Sequence, residues 1–425
     1  MIRQCRVSLV EILQGAAGEL ALAVLAAPGP PQLAILGHLE EHDKMSLGST
    51  CTSLRRASLS WFPEVTVEVV PGLTDVESLA AWLERHQACL HISEMLDISN
   101  KKIDRVASEA EWSDGLTALP SSLVTSLAVR SSWGLPTAVS HLTALTRLEF
   151  DADEYIDLES VADGDLPFSI HAHPLRPLTR LRQLRLQCGD ECHIGKTAEE
   201  LLSLPALAGL QALWLNGCSL QAMPRALSAL TRLTSLSLAG DDITVTAPLA
   251  TLRRLQCLDL AVCKLKAVPE QVSALTALTS LDLFANKLAS GWQHLLPLKQ
   301  LQDLNLHGCS LRAVSHPLSA LTGLTRLSLS QHKLAIGWQH LQPLVQLQDL
   351  SLLTCSLTAV PRQVSALTGL SRLDLFCNRE LTGGWQHLLP LNQLRHLLLP
   401  DVSMPGGTAP PELAALTHLR LHRCP

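Results

Sequence analysis

Chemistry could begin at residues 188 to 197. Cys188, Cys192 and His193 offer three metal ligands there, and Gly189, Gly195, Lys196 and Thr197 imitate a phosphate-binding loop. A zinc site of that type needs a paired second cluster, and no such cluster follows nearby. A phosphate loop needs four residues between its glycines so that successive N–H groups wrap the phosphates. Here there are five, and two of them, Asp190 and Glu191, would repel phosphate. The string therefore reads as a turn, and neither a metal nor a nucleotide nor another cofactor is expected.

Two further constellations invite a ligand. His294, His340 and His387 recur with Trp292, Trp338 and Trp385 in copies of a Gly-Trp-Gln-His-Leu stretch. Neighbouring copies are two layers apart at about 4.8 Å per layer, too far for one ion, so they read as packing along an outer wall. Asp151, Asp153, Glu154, Asp157, Glu159, Asp163 and Asp165 form an acidic stretch with no basic residue. It lacks the glycine and terminal glutamate of a calcium loop and reads as a solvated loop, with a basic partner as the alternative. No Gly-x-Ser-x-Gly elbow and no His-Glu-x-x-His occurs, so no local motif supports a hydrolase, and the chain is expected not to be an enzyme.

The elements that would position any site are set by a repeat. Leu-x-x-Leu-x-Leu occurs at Leu210, Leu213 and Leu215 and at Leu233, Leu236 and Leu238, and it recurs every 22 to 24 residues to Leu416, Leu419 and Leu421. In a strand the side chains alternate, so the two leucines separated by one residue face inward while their neighbours face solvent. A single layer cannot bury its leucines; stacked layers can. These residues resemble the leucine-rich-repeat family. The resemblance implies an α/β solenoid with a curved parallel sheet on the concave face and 3₁₀ or short helices on the convex face.

Three residues past each final leucine stands Cys218, Asp241, Cys263, Asn286, Cys309, His332, Cys355 or Asn378. The family resemblance makes this the ladder position, whose side chain meets buried backbone groups of the turn. The four cysteines at this position, of 12 in the chain, thus read as structural thiols. Ala-Val-Pro or a close variant follows the cysteine repeats and Gly-Trp-Gln-His-Leu the asparagine repeats, a 46-residue alternation that looks like tandem duplication.

Along the chain, residues 1–27 read as an extension, 28–70 as a small helical domain, 71–91 as a linking helix, and 92–425 as the solenoid. The solenoid is regular from about 178 and carries the acidic insertion at 151–165. Glu64 to Val70 alternates like a strand, and Leu79 to Leu90 reads as the linking helix. The order Pro28, Ile35, Leu39, Asp43, Leu47, Cys51, Leu54, Arg55 is similar to the F-box. That resemblance implies docking on the Skp adaptor through Leu36, Leu39, Leu47 and Leu54. The last strand ends four residues before Pro425 with no capping element. This leaves an open edge, from a truncated product or for pairing with another chain.

With 425 residues, a net charge of −6, and no run of Lys or Arg longer than two, a nucleic-acid partner is not expected. The longest early apolar run, Leu20 to Ala27, is too short to span a bilayer, so no membrane partner is expected either. A cytoplasmic or nuclear location follows as the expectation, with the cytoskeleton or a ciliary axoneme as the alternative. On the concave face the strands would present Trp214, Asn216, Asp259, Asp282, Phe284, Asp303, Asn305, His307, Arg326, Asp349, Arg372, Asp374 and Phe376 to a protein partner. Asp282 with Phe284, echoed by Asp374 with Phe376, is the strongest local candidate. Two functions remain open. One, implied by the F-box resemblance, is the substrate-recognition subunit of a cullin-type ubiquitin ligase. The other is a scaffold or adaptor with no ligase link.

Overall fold

A computed structural model describes residues 64–69, 74–86, 89–96, 109–131, 134–152, 171–188, 194, 197–399 and 420–423. The F-box-like leucines Leu36, Leu39, Leu47 and Leu54 lie outside the described residues. So do most of the acidic stretch, residues 189–193, Gly195 and Lys196.

The chain divides into two compact units, Met1–Leu127 and Ala128–Pro425. In the first, strand β1 (Glu64–Val69) pairs in parallel with β2 (Cys89–Leu96), with a bulge between Val67 and Glu68. Helix α1 (Val76–His86) joins them. Its start is fixed by Asp75, whose Oδ1 accepts the Ser78 N–H at 3.0 Å. The helix ends at His86, and Cys89 and Leu90 already belong to β2, so the linking helix is shorter than the sequence predicts. A β-branched and apolar run, with Leu90 and Ile92 buried, outweighs helical periodicity there. Helix α2 (Glu109–Ala118) follows and buries Leu116. Strand β3 (Val124–Ser131) crosses the boundary between the units.

The second unit is the solenoid. Its strands are β4 (Arg147–Ala152), β5 (Gln183–Gln187), β6 (Ala212–Asn216), β7 (Ser235–Ser237), β8 (Cys257–Asp259), β9 (Ser280–Asp282), β10 (Asp303–Asn305), β11 (Arg326–Ser328), β12 (Asp349–Ser351), β13 (Arg372–Asp374), β14 (His396–Leu399) and β15 (Arg420–Arg423). Each pairs in parallel with the next, leucine opposite leucine: Leu213 with Leu236, Leu281 with Leu304, Leu350 with Leu373. Asp151 and Ala152 are the end of β4, so the insertion starts after them.

All the repeat leucines from Leu210 to Leu399 are buried, most of them completely. Each contributes about 1.5–3 kcal/mol on removal from water, and the stack is held by their sum. Short 3₁₀ turns return the chain on the other side, and they come in two kinds that follow the alternation in sequence. Five-residue turns such as Glu270–Ala274 and Arg362–Ala366 follow the cysteine repeats and, at Ala247–Thr251, the Asp241 repeat, and four-residue turns, Trp292–Leu295, Trp338–Leu341 and Trp385–Leu388, follow Asn286, His332 and Asn378.

The two kinds are matched across the layers. Ala267 bridges Ser290, Ala313 bridges Ile336 and Ala359 bridges Gly383, in parallel, so each Ala-Val-Pro segment pairs with the residue before a Gly-Trp. Gly291, Gly337 and Gly384 adopt φ of +83°, +89° and +83°. A Cβ on any of them would fall closer than 3.0 Å to the backbone of Val268, Val314 or Val360. Only glycine permits both the turn and the approach.

Candidate functional site

The exposed face of the sheet is built from three rows of side chains, one before, one between and one after the inward leucines of each strand. All thirteen predicted residues lie on these rows. The structure brings them together as one surface, but it also shows that many of their polar atoms already have structural work.

The middle row ends the strands. Asp259 Oδ1 accepts the Ala261 N–H at 2.9 Å, Asp282 Oδ1 the Phe284 N–H at 2.8 Å, Asn305 Oδ1 the His307 N–H at 3.0 Å, and Asp374 Oδ1 the Phe376 N–H at 2.9 Å. Each side chain thus satisfies an amide that the sheet ladder leaves over as the strand stops. Their second atoms link neighbours. The Ser237 hydroxyl lies 2.7 Å from Asn216 Oδ1 and 2.8 Å from Asp259 Oδ2, and Asn305 Nδ2 donates to Asp282 Oδ2 at 3.1 Å. Burial pushes the Asp282 carboxyl above the usual carboxylate range, against the hydrogen bonds from Phe284 and Asn305 that draw it down.

From β10 to β13 the first row is a charge ladder of alternating sign. Arg326 is 2.7 Å from Asp303, and Arg372 is 3.7 Å from Asp349, so four of the predicted residues compensate one another in pairs. Exposed pairs of this kind are worth about 0–1 kcal/mol and can be exchanged for a partner's charges at little cost. Burial raises the Asp349 carboxyl as well, with Arg372 opposing it.

The third row carries the apolar anchors. Phe284 and His307 meet edge to face with centroids 5.0 Å apart, and Phe376 stands half-buried beyond Leu353. Trp214 is half-buried on the middle row of β6. Sequence reasoning missed the serines of this face. Ser330 and Ser351 share a hydrogen bond at 2.7 Å, and the Ser330 hydroxyl also accepts the Leu353 N–H at 3.2 Å. Their position on the outward rows was visible, but a small hydroxyl gives no signal of its own.

The other candidates separate. Cys188 Sγ lies 3.8 Å from Cys218 Sγ as a buried neighbour in the core, Ile194 is fully buried, and Thr197 precedes the short helix α3 (Ala198–Leu202). His294, His340 and His387 sit half-exposed in their 3₁₀ turns, each beside its own glutamine at 3.1 to 3.4 Å. Trp385 is buried and the other two tryptophans are half-buried. The ladder cysteines are buried donors: Cys309 and Cys355 each lie 3.0 Å from a carbonyl of the preceding layer, that of Leu283 and Leu329. Burial pushes both thiols up to about 11, and that of Cys263 to about 12, which keeps them protonated and unreactive at neutral pH.

Comparison with known proteins agrees with this geometry. The family model for the leucine-rich-repeat region matches residues 168–410, more than half of the sequence. The chain belongs to the leucine-rich-repeat family. Among solved structures, a leucine-rich-repeat protein of Leptospira interrogans superposes with a TM-score of 0.59 at 20% identity, over 89% of this chain and 93% of that one. An internalin of Listeria monocytogenes aligns over 89% of this chain and 93% of its own at 18% identity, with a TM-score of 0.47. At 20% identity the likeness to the Leptospira protein is one of fold. No curated protein matches the sequence. Among the described residues no helix is long and apolar enough to cross a membrane.

Proposed function

We propose that this leucine-rich-repeat chain is a protein-binding scaffold that holds its partner on the exposed sheet face between β6 and β13. The observation that carries the reading is the clustering of half-buried aromatic anchors, Phe284 against His307 and Phe376, beside exchangeable charge pairs on a rigid sheet. Such anchors, desolvated at the centre of a surface, supply most of the energy of a protein interface. Asp259 and Asp282 stand side by side in register at its centre, so the favoured partner presents basic and apolar side chains there.

The test is affinity capture of the full chain followed by quantitative mass spectrometry. Three baits are compared: wild type, the double variant Phe284→Ala with Phe376→Ala, and Ile336→Asp on the opposite side. Partners held by wild type and Ile336→Asp but reduced at least tenfold with the double variant are expected. Equal capture by all three would refute the reading.

The finer reading, a substrate receptor that docks on the Skp adaptor through Leu36, Leu39, Leu47 and Leu54, is supported by sequence resemblance alone. Purified Skp adaptor retained by the full chain, and lost with Leu39→Asp, is its expected result. Failure to retain the adaptor would leave the scaffold without a ligase link.

A further inference from the structure

A different edge of the stack, where the chain turns into its strands, is strongly basic. The segments 176–182, 205–211, 230–234 and 250–256, which lead into β5 to β8, hold Arg176, Arg180, Arg182, Arg232, Arg253 and Arg254 and no carboxylate. Arg232, Arg253 and Arg254 line an open cleft of about 580 Å³ with Gln211, Thr231 and Thr234. The cleft is a product of the stacking. Thr234 N–H donates to Gln211 O at 2.7 Å and Gln256 N–H to Thr234 O at 2.8 Å, which sets three successive layers side by side.

Elsewhere this chain neutralises some of its arginines, as in Arg326 with Asp303 and Arg176 with Glu200. In the cleft it does not. Among the described residues none of the three arginines has an acidic partner, although all are exposed and their layers are about 4.8 Å apart. Three like charges on two adjacent layers repel and raise the local potential for an anion. Guanidinium forks match the paired oxygens of an oxyanion, and the Thr231 hydroxyl, uncommitted among the described residues, adds a donor. A monovalent carboxylate would leave most of the charge uncompensated, whereas a phosphate group carries nearly two charges and three acceptor oxygens.

We propose that this cleft binds a phosphate-class oxyanion, free or as the phosphate ester of a lipid headgroup. The site is independent of the sheet face and stands whether or not that face holds a protein.

The experiment is thermal unfolding of the full chain in sodium phosphate against sodium chloride at matched ionic strength. Wild type is compared with Arg253→Gln/Arg254→Gln and with the single variant Arg232→Gln, all of them checked for native circular dichroism. A ligand that binds only the folded state raises the midpoint. A higher midpoint in phosphate for wild type, abolished in the double variant and reduced in Arg232→Gln, is expected. Equal midpoints in the two salts for wild type, or an undiminished phosphate effect in the variants, would overturn the proposal. Co-sedimentation with phosphatidylcholine vesicles, with and without phosphatidylinositol phosphate, assigns the source. Pelleting that needs the phosphoinositide and fails in the double variant identifies a headgroup; a phosphate effect without pelleting identifies the free ion.

Discussion

At the scale of single residues, the ladder position shows how one structural task is met by four side chains. Asn286 does it completely. Its Oδ1 accepts the Leu265 N–H at 2.9 Å while its Nδ2 donates to the carbonyls of Leu260 and Leu283 at 2.8 and 2.9 Å. His332 does the same as a neutral ring, with Nδ1 accepting from Leu311 N–H at 3.2 Å and Nε2 lying 2.7 Å from Leu306 O. Burial holds its pKa below the usual value, as that role requires. Asp241 does half of it. Burial is the largest influence and pushes its carboxyl up to about 6, although the N–H groups of Leu220, Cys218 and Ser219 draw it down. Its Oδ2 is buried without a hydrogen-bond partner among the described residues, because an ionised carboxylate has no proton to give where asparagine has an NH₂.

A carboxyl whose pKa is raised on folding favours the folded state most at pH below about 3.8, its unfolded value. It loses that contribution as the pH climbs through about 6. Asp241→Asn should therefore stabilise the chain at pH 7.5 by about 1–3 kcal/mol. The gain should shrink below pH 6 and vanish near pH 4. Thermal melts of both proteins across that range check it, and a gain independent of pH would show that ionisation is not the cause.

Element by element, the two kinds of turn are one device. The Ala-Val segment after Cys263, Cys309 and Cys355 needs a neighbour without a Cβ, and the glycine before each of Trp292, Trp338 and Trp385 is that neighbour. Gly337→Ala would force a side chain onto the backbone of Val314 at a φ of +89°. A loss of about 2 kcal/mol or more is expected, read as a lower denaturant midpoint with an unchanged slope. Gly383, whose Cβ would meet nothing within 4 Å, is the control, and Gly383→Ala should cost much less.

This coupling was half legible in the sequence. The alternation of Ala-Val-Pro with Gly-Trp-Gln-His-Leu announced two kinds of layer, and the leucine triplets placed the strands. The reason for the glycine was hidden, since it lies in a contact between segments 23 residues apart. Likewise the acidic and amide side chains at Asp259, Asp282, Asn305 and Asp374 were visible as outward residues. Their capping of strand ends was not, because it depends on where the ladder stops rather than on residue type. The early end of the linking helix at His86 was missed because apolar spacing near Leu90 fits a helix and a strand equally well.

For the whole molecule, the leucine spine uses one side of every strand and leaves the other as a continuous face. That face is prepared in a particular way: strand-end amides are met by its own side chains, Arg326 and Arg372 are paired with Asp303 and Asp349 across layers, and the aromatics and the central acids remain. Under the proposed function, Trp214, Phe284, His307 and Phe376 would carry specificity, with the central acids setting the sign of the partner. The repetition of near-identical 46-residue units along the stack makes the departures from it informative, and the arginine cleft before β7 and β8 is one: the positions of Arg253 and Arg254 are held in later units by Lys299 and Gln300, Val345 and Gln346, and Asn392 and Gln393.

The most direct measurement is hydroxyl-radical footprinting of the chain alone and bound to its captured partner. Protection is predicted at Trp214, Phe284, His307 and Phe376, with Trp292 and Trp338 unchanged. Protection confined to the Trp-Gln-His-Leu turns, with Phe284 and Phe376 as reactive as in the free chain, would contradict the central claim that the sheet face is where a partner is held.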